Sequence, residues 1–169
     1  MSIIHPELIA RIQQIRCLTF DVEGILTLQY RSLQPPFSTD LFSQNDREGL
    51  IDLINQGFIV GIISSSESKL LQHLLQELHI PFIYLGAKDK RIGYEEIKQA
   101  MNLTDMECAH MGDGERDIPL LEKVGLAITV PHASSVIKEK SHYCTSHDGG
   151  WGAVGEVAYL MRRYQRELH

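Results

Sequence analysis

Apolar and polar positions along the chain follow two alternating rhythms. Short, mostly apolar runs fall at 17–20, 58–63, 82–85, 108–111 and 126–130, with a more polar run at 142–145. Between them lie stretches of helical period. Leu8, Ile12 and Ile15 suit a short leading helix. Residues 46–56 place Leu50, Leu53 and Ile54 on one face, with Gly57 as a stop. Further helices are expected at about 67–78, 90–101, 118–124, 135–140 and 154–168. The stretch 28–42 keeps neither rhythm. It carries Tyr30, Pro35, Pro36 and Phe37 and reads as a protruding β-hairpin or flap.

Strands that alternate with helices predict βαβ units and a mainly parallel sheet. Right-handed crossovers would then give a three-layer α/β/α doubly wound sandwich, expected as one domain over residues 1–169. Ligands of such sheets bind beyond the carboxyl ends of the strands. Asp21 and Glu23, Ser64, and Asp113 all follow a predicted core strand. That shared placement singles them out more than any one of them would alone.

Composition narrows the picture. The chain has 169 residues, 43% apolar and 22% charged, enough for a folded core. A net charge of -6 gives a nucleic-acid partner no electrostatic support. An anionic substrate would need a locally positive pocket or a bound cation. Cys17, Cys108 and Cys144 show no CxxC spacing and read as reduced thiols of a cytoplasmic protein. No stretch reaches the roughly 20 apolar residues of a membrane span. The eight histidines form no pair at metal-ligand spacing. His110 falls in a predicted strand, as a core or edge residue. His132 falls in a loop near the strand ends, where a substrate contact is the lesser reading.

Asp21 and Glu23 lie two apart, so persisting strand geometry would point both into one pocket. Two facing carboxylates repel unless a cation intervenes. Asp113, from another strand end, could complete an oxygen-rich magnesium site. The plain alternative is a solvated turn at the end of a strand.

Asp21-Val22-Glu23-Gly24-Ile25-Leu26-Thr27 resembles the first motif of the haloacid dehalogenase superfamily. Ser64 after Ile62-Ile63 resembles the second motif, Lys90 the third, and Gly112-Asp113-Gly114-Glu115-Arg116-Asp117 the fourth. Within that superfamily the chain is most similar to the 3-deoxy-D-manno-octulosonate 8-phosphate (KDO 8-phosphate) phosphatases. The local echoes are Ser68-Lys69-Leu70, Asp117-Ile118-Pro119 and Gly149-Gly150-x-Gly152-Ala153-Val154. The resemblance implies a capless magnesium-dependent phosphatase for a small phosphorylated sugar acid. Asp21 would be the nucleophile that forms an aspartyl-phosphate, and Glu23 the acid and base. Asp21, the Glu23 backbone carbonyl and Asp113 would hold Mg2+. Ser64, Ser65 and Lys90 would bind the phosphoryl group, with Asp117 behind them. A homotetramer is implied as well.

Several positions depart from the family pattern. Glu23 replaces the usual second Asp, as in the related enolase-phosphatases, and Gly114 replaces an Asp of the fourth motif. Ser66, Trp151 and Gly155 stand where the subfamily tends to carry arginine. Arginine forks bind carboxylates and phosphates bidentately. Their loss points to a changed substrate, such as a nine-carbon sugar acid 9-phosphate, or to a non-catalytic binding module. A lone Trp in a glycine loop more often packs, within the chain or against another subunit, than stacks on substrate.

Overall fold

A computed structural model describes residues 4–28 and 41–165. The expected flap at 28–42 lies, apart from its ends, outside the described residues. The strands are β1 Cys17–Phe20, β2 Ile59–Ile63, β3 Phe82–Tyr84, β4 Cys108–Met111, β5 Leu126–Thr129 and β6 Tyr143–Cys144. The helices are α1 Pro6–Gln14, α2 Gln44–Asn55, α3 Lys69–Glu77, α4 Lys90–Met101, α5 Ile118–Leu121, α6 Ser135–Glu139 and α7 Ala153–Tyr164. All six strands pair in parallel, in the order β3-β2-β1-β4-β5-β6.

The apolar runs are strands because both faces of the sheet are covered. Leu18, Phe20, Val60, Ile62, Ala109 and Met111 face one core, shared with α2, α3 and α7. The alternate positions Cys17, Ile63, Cys108 and Ala127 face a second core, shared with α4, α5 and α6. Two polar residues, Thr19 and His110, interrupt the apolar runs of β1 and β4. They are fully buried and in register with each other.

Helix boundaries shift where side chains cap them. α3 starts at Lys69 because the Ser68 hydroxyl accepts from the Leu71 amide. The helix expected over 118–124 ends early, as the four-residue α5 Ile118–Leu121, and a 3-10 turn, Glu115–Asp117, leads into it.

The last helix is held from outside itself. α7 has no side-chain cap of its own at Gly152. Asp46, fully buried on α2, supplies one instead. Its Oδ2 accepts from the Gly152 amide (3.2 Å), and its Oδ1 accepts from the Val154 (2.9 Å) and Gly155 (3.2 Å) amides. The carboxylate thus satisfies orphan donors at the positive end of α7. The Ser43 hydroxyl donates to the same carboxylate at 2.7 Å and caps α2. The two helices cross closely. A Cβ on Gly49 would lie 2.9 Å from the Gly155 Cα, and one on Gly155 would lie 2.9 Å from the Asn45 carbonyl.

Asp46→Ala should strand three amides, two of them buried, and lower stability by about 3 kcal/mol. Calorimetry should read a fall in Tm of roughly 6–12 °C. Gly155→Arg, which would restore the subfamily's residue type, should cost about 1–3 kcal/mol by overpacking the crossing.

Candidate active site

β1 and β4 are neighbours at the point where strand order reverses, the usual ligand crevice of such a sheet. Asp21 follows β1, its amide donating to the Met111 carbonyl at 3.0 Å. Its Oδ1 accepts from the Val22 amide at 2.7 Å, and its Oδ2 lies 3.1 Å from the Lys90 ammonium. Lys90 opens α4 after Asp89, whose side chain accepts from the Arg91 amide. A cation there opposes the helix dipole. Two carboxylates offset that cost, Asp21 and Asp117, the second at 2.7 Å.

Asp117 makes four contacts with donors. Its Oδ1 accepts from Lys90 and lies 2.7 Å from His110 Nε2. Its Oδ2 accepts from the Asp113 and Gly114 amides, both at 3.1 Å. Burial alone would push its carboxyl up, but the hydrogen bond to His110 and the charge and bond of Lys90 hold it far below the usual range. Burial keeps His110 neutral, against the pull of Asp117. The ring therefore donates from Nε2 to Asp117, and its Nδ1 accepts from the Thr19 hydroxyl at 2.7 Å. Thr19 and His110 brace the site from beneath the sheet. The polar letters within two apolar strand runs were the available sign of this.

Asp113 sits against the turn after β1. Gly24 has φ +81°, and a Cβ there would lie 1.9 Å from Asp113 Oδ2, so only glycine permits this approach. The same oxygen lies 2.8 Å from His132 Nε2, and His132 Nδ1 lies 2.5 Å from Asp148 Oδ1. Burial raises the Asp113 carboxyl, with His132 pulling the other way. Neither His132 nor Asp148 carried a firm role in the sequence.

The Glu23 Oε1 accepts from the Ser66 hydroxyl at 3.0 Å. Ser66 is thus engaged with the acid rather than being an empty arginine position. Ser64 is buried at the end of β2, where its Oγ accepts from the Ser66 amide at 3.1 Å and leaves the hydroxyl proton available. Ser65 is exposed. Trp151 is 67% exposed, which excludes the packing role within the chain expected for it.

Asp21, Lys90, Asp113 and Asp117 therefore converge, and Glu23 and Ser64 flank them. Oxygens of Asp21, Asp113 and Asp117 lie within 4.8 Å of one another. Three carboxylates face one buried ammonium. Burial and the neighbouring Asp117 raise the Asp21 carboxyl to about 8, despite Lys90. This surplus of hard oxygen donors fits a divalent cation such as Mg2+. Asp117, already saturated with donors, is the least suited of the three to ligate it.

Residues 80–157 match the haloacid dehalogenase-like hydrolase family. The KDO 8-phosphate phosphatase of Yersinia pestis is 33% identical over 98% of this chain and 89% of its own. The crystal structure of the Yersinia pestis enzyme superposes with a TM-score of 0.89 at 31% identity, over 96% of this chain and 88% of that one. That of the Moraxella catarrhalis enzyme, in complex with magnesium, phosphate and KDO, gives 0.88 at 29% identity, over 95% and 94%. The fold, the assembled motifs and these relatives agree: the chain belongs to the haloacid dehalogenase-like hydrolases, among the kin of the KDO 8-phosphate phosphatases.

Proposed function

We propose that the protein is a magnesium-dependent phosphatase that hydrolyses a small phosphorylated sugar acid of the KDO 8-phosphate kind, with Asp21 as nucleophile. The observation that carries this reading is the convergence of Asp21, Asp113 and Lys90 at the strand switch point. The magnesium and KDO bound by the Moraxella catarrhalis relative support the substrate class.

Asp21, Asp113 and the Glu23 backbone carbonyl would hold Mg2+, which when bound neutralises charge on the phosphoryl oxygens. Lys90 has three N–H donors. Two are directed at Asp21 and Asp117, and the third serves a phosphoryl oxygen. The Ser64 hydroxyl donates to another oxygen, with Ser65 at the rim. An Asp21 oxygen attacks phosphorus as the bond to the leaving oxygen breaks. Glu23 delivers a proton to that oxygen. Glu23 then takes a proton from water, whose oxygen attacks the aspartyl-phosphate and releases phosphate and Asp21.

Glu23 is one methylene longer than aspartate, a reach of about 1.5 Å. Displacements of that order can cost about a hundredfold in rate. The Ser66 bond supports Glu23 as the working acid by restricting where its longer side chain swings.

A panel of sugar-acid phosphates, including eight-carbon 8-phosphates and nine-carbon 9-phosphates, tests the substrate class. Phosphate release should require Mg2+ and stop on chelation. Asp21→Asn should lower kcat by roughly 10³-fold or more. Turnover undiminished in that variant would refute the mechanism, and a barren panel would favour a non-catalytic module.

Ser66→Ala should lower kcat about fivefold, one net hydrogen bond, with KM little changed. Ser66→Thr should recover most of the loss. Steady-state kinetics on the best substrate of the panel reads both.

A further inference from the structure

The ring of His132 bridges two carboxylates from different loops. Nε2 lies 2.8 Å from Asp113 Oδ2 and Nδ1 lies 2.5 Å from Asp148 Oδ1. Every element of this bridge is itself fixed. His132 follows β5 on the Val130-Pro131 turn, where the Ala133 amide donates to the Val130 carbonyl at 3.1 Å. Asp148 Oδ1 also accepts from the Gly149 amide at 2.9 Å, and its carbonyl accepts from the Trp151 amide at 3.0 Å. Gly149 packs so tightly on the turn after β1 that a Cβ there would fall 1.6 Å from the Gly24 carbonyl oxygen. The Gly150 amide donates to the Ile25 carbonyl at 3.0 Å. The bridge therefore ties the loop after β5 and the loop before α7 to the strand-end aspartate.

We infer that His132, anchored by Asp148, is a positioning residue for magnesium: it holds Asp113 in the rotamer that ligates the ion. The inference rests on the magnesium reading of Asp113 above. Asp113 is anchored on one side only. His132 engages Oδ2, while among the described residues Oδ1 has no hydrogen-bond partner and stays available to a ligand. An aspartate with one oxygen pinned keeps its other oxygen in place before the ion arrives. The ordering entropy is then spent in folding rather than in binding. Partners behind metal ligands commonly contribute about 10–100-fold in metal affinity. His132 side-chain atoms are 17% exposed and those of Asp148 42%, so the Asp148 variant is the one that leaves the core untouched.

Titration calorimetry of the full chain with MgCl2, without substrate, tests this. His132→Ala should weaken Mg2+ binding about 10–100-fold. His132→Gln, which keeps an N–H donor, should lie closer to the unaltered protein. Asp148→Ala, at an exposed position, should weaken binding in the same direction and serves if His132→Ala fails to fold. The metal-free melting temperature should move little in the Asp148 variant. With a turnover substrate, the Mg2+ concentration for half-maximal rate should rise while kcat at saturating Mg2+ stays near normal. Binding by His132→Ala and Asp148→Ala within about threefold of the unaltered chain would overturn the inference alone. Failure of the unaltered chain to bind Mg2+ would instead overturn the magnesium reading, and this inference with it.

Discussion

Burying more negative than positive charge at one strand switch point is the constraint around which the structure is arranged. Oxygens of Asp21, Asp113 and Asp117 crowd within 4.8 Å of one another, and among the described residues Lys90 is the one ammonium buried with them. Charge taken out of water is tolerated only with partners. The site meets that demand by assigning donors unequally. Asp117 receives four and stays ionised as scaffold, whereas Asp21 receives few and has its carboxyl raised to about 8. The imbalance left at Asp21 and Asp113 is what the proposed Mg2+ would neutralise. On the proposed mechanism, the number of hydrogen bonds each carboxylate accepts separates the scaffold Asp117 from the nucleophile Asp21.

The period of the apolar runs was sufficient to read the sheet. β1, β4 and α4 begin and end where the pattern placed them, because a strand buried on both faces or a long helix with one buried face leaves little choice. The convergence of Asp21 and Asp113 was legible for a related reason: carboxylates that follow adjacent parallel strands are carried to the same end of the sheet. Short elements were less legible. The 3-10 turn before α5 depends on amides reaching the Asp117 carboxylate, a contact three to four residues back along a loop that no periodicity encodes.

Long-range polar pairs were the least legible. Thr19 meets His110 across 91 positions and Asp46 meets Val154 across 108, and no local pattern says which residue pairs with which. The same blindness affects the missing arginines. Ser66 is engaged with Glu23, so the longer acid and the shorter neighbour read as one compensated change rather than two losses. Gly155 lies in a helix crossing too tight for a side chain. Trp151 alone presents an open surface, 67% exposed beside the Gly149–Gly152 loop.

The cap that Asp46 places on α7 also sets an order of events during synthesis. A chain emerging from the ribosome releases α2 long before residues 152–155, yet the carboxylate on α2 has no native partner amides until they appear. Settling α2 against the sheet earlier would bury an unsatisfied charge. α2 therefore settles fully only together with residues 152–155, and the loop that precedes α7, which rests on the turn after β1, docks in the same step.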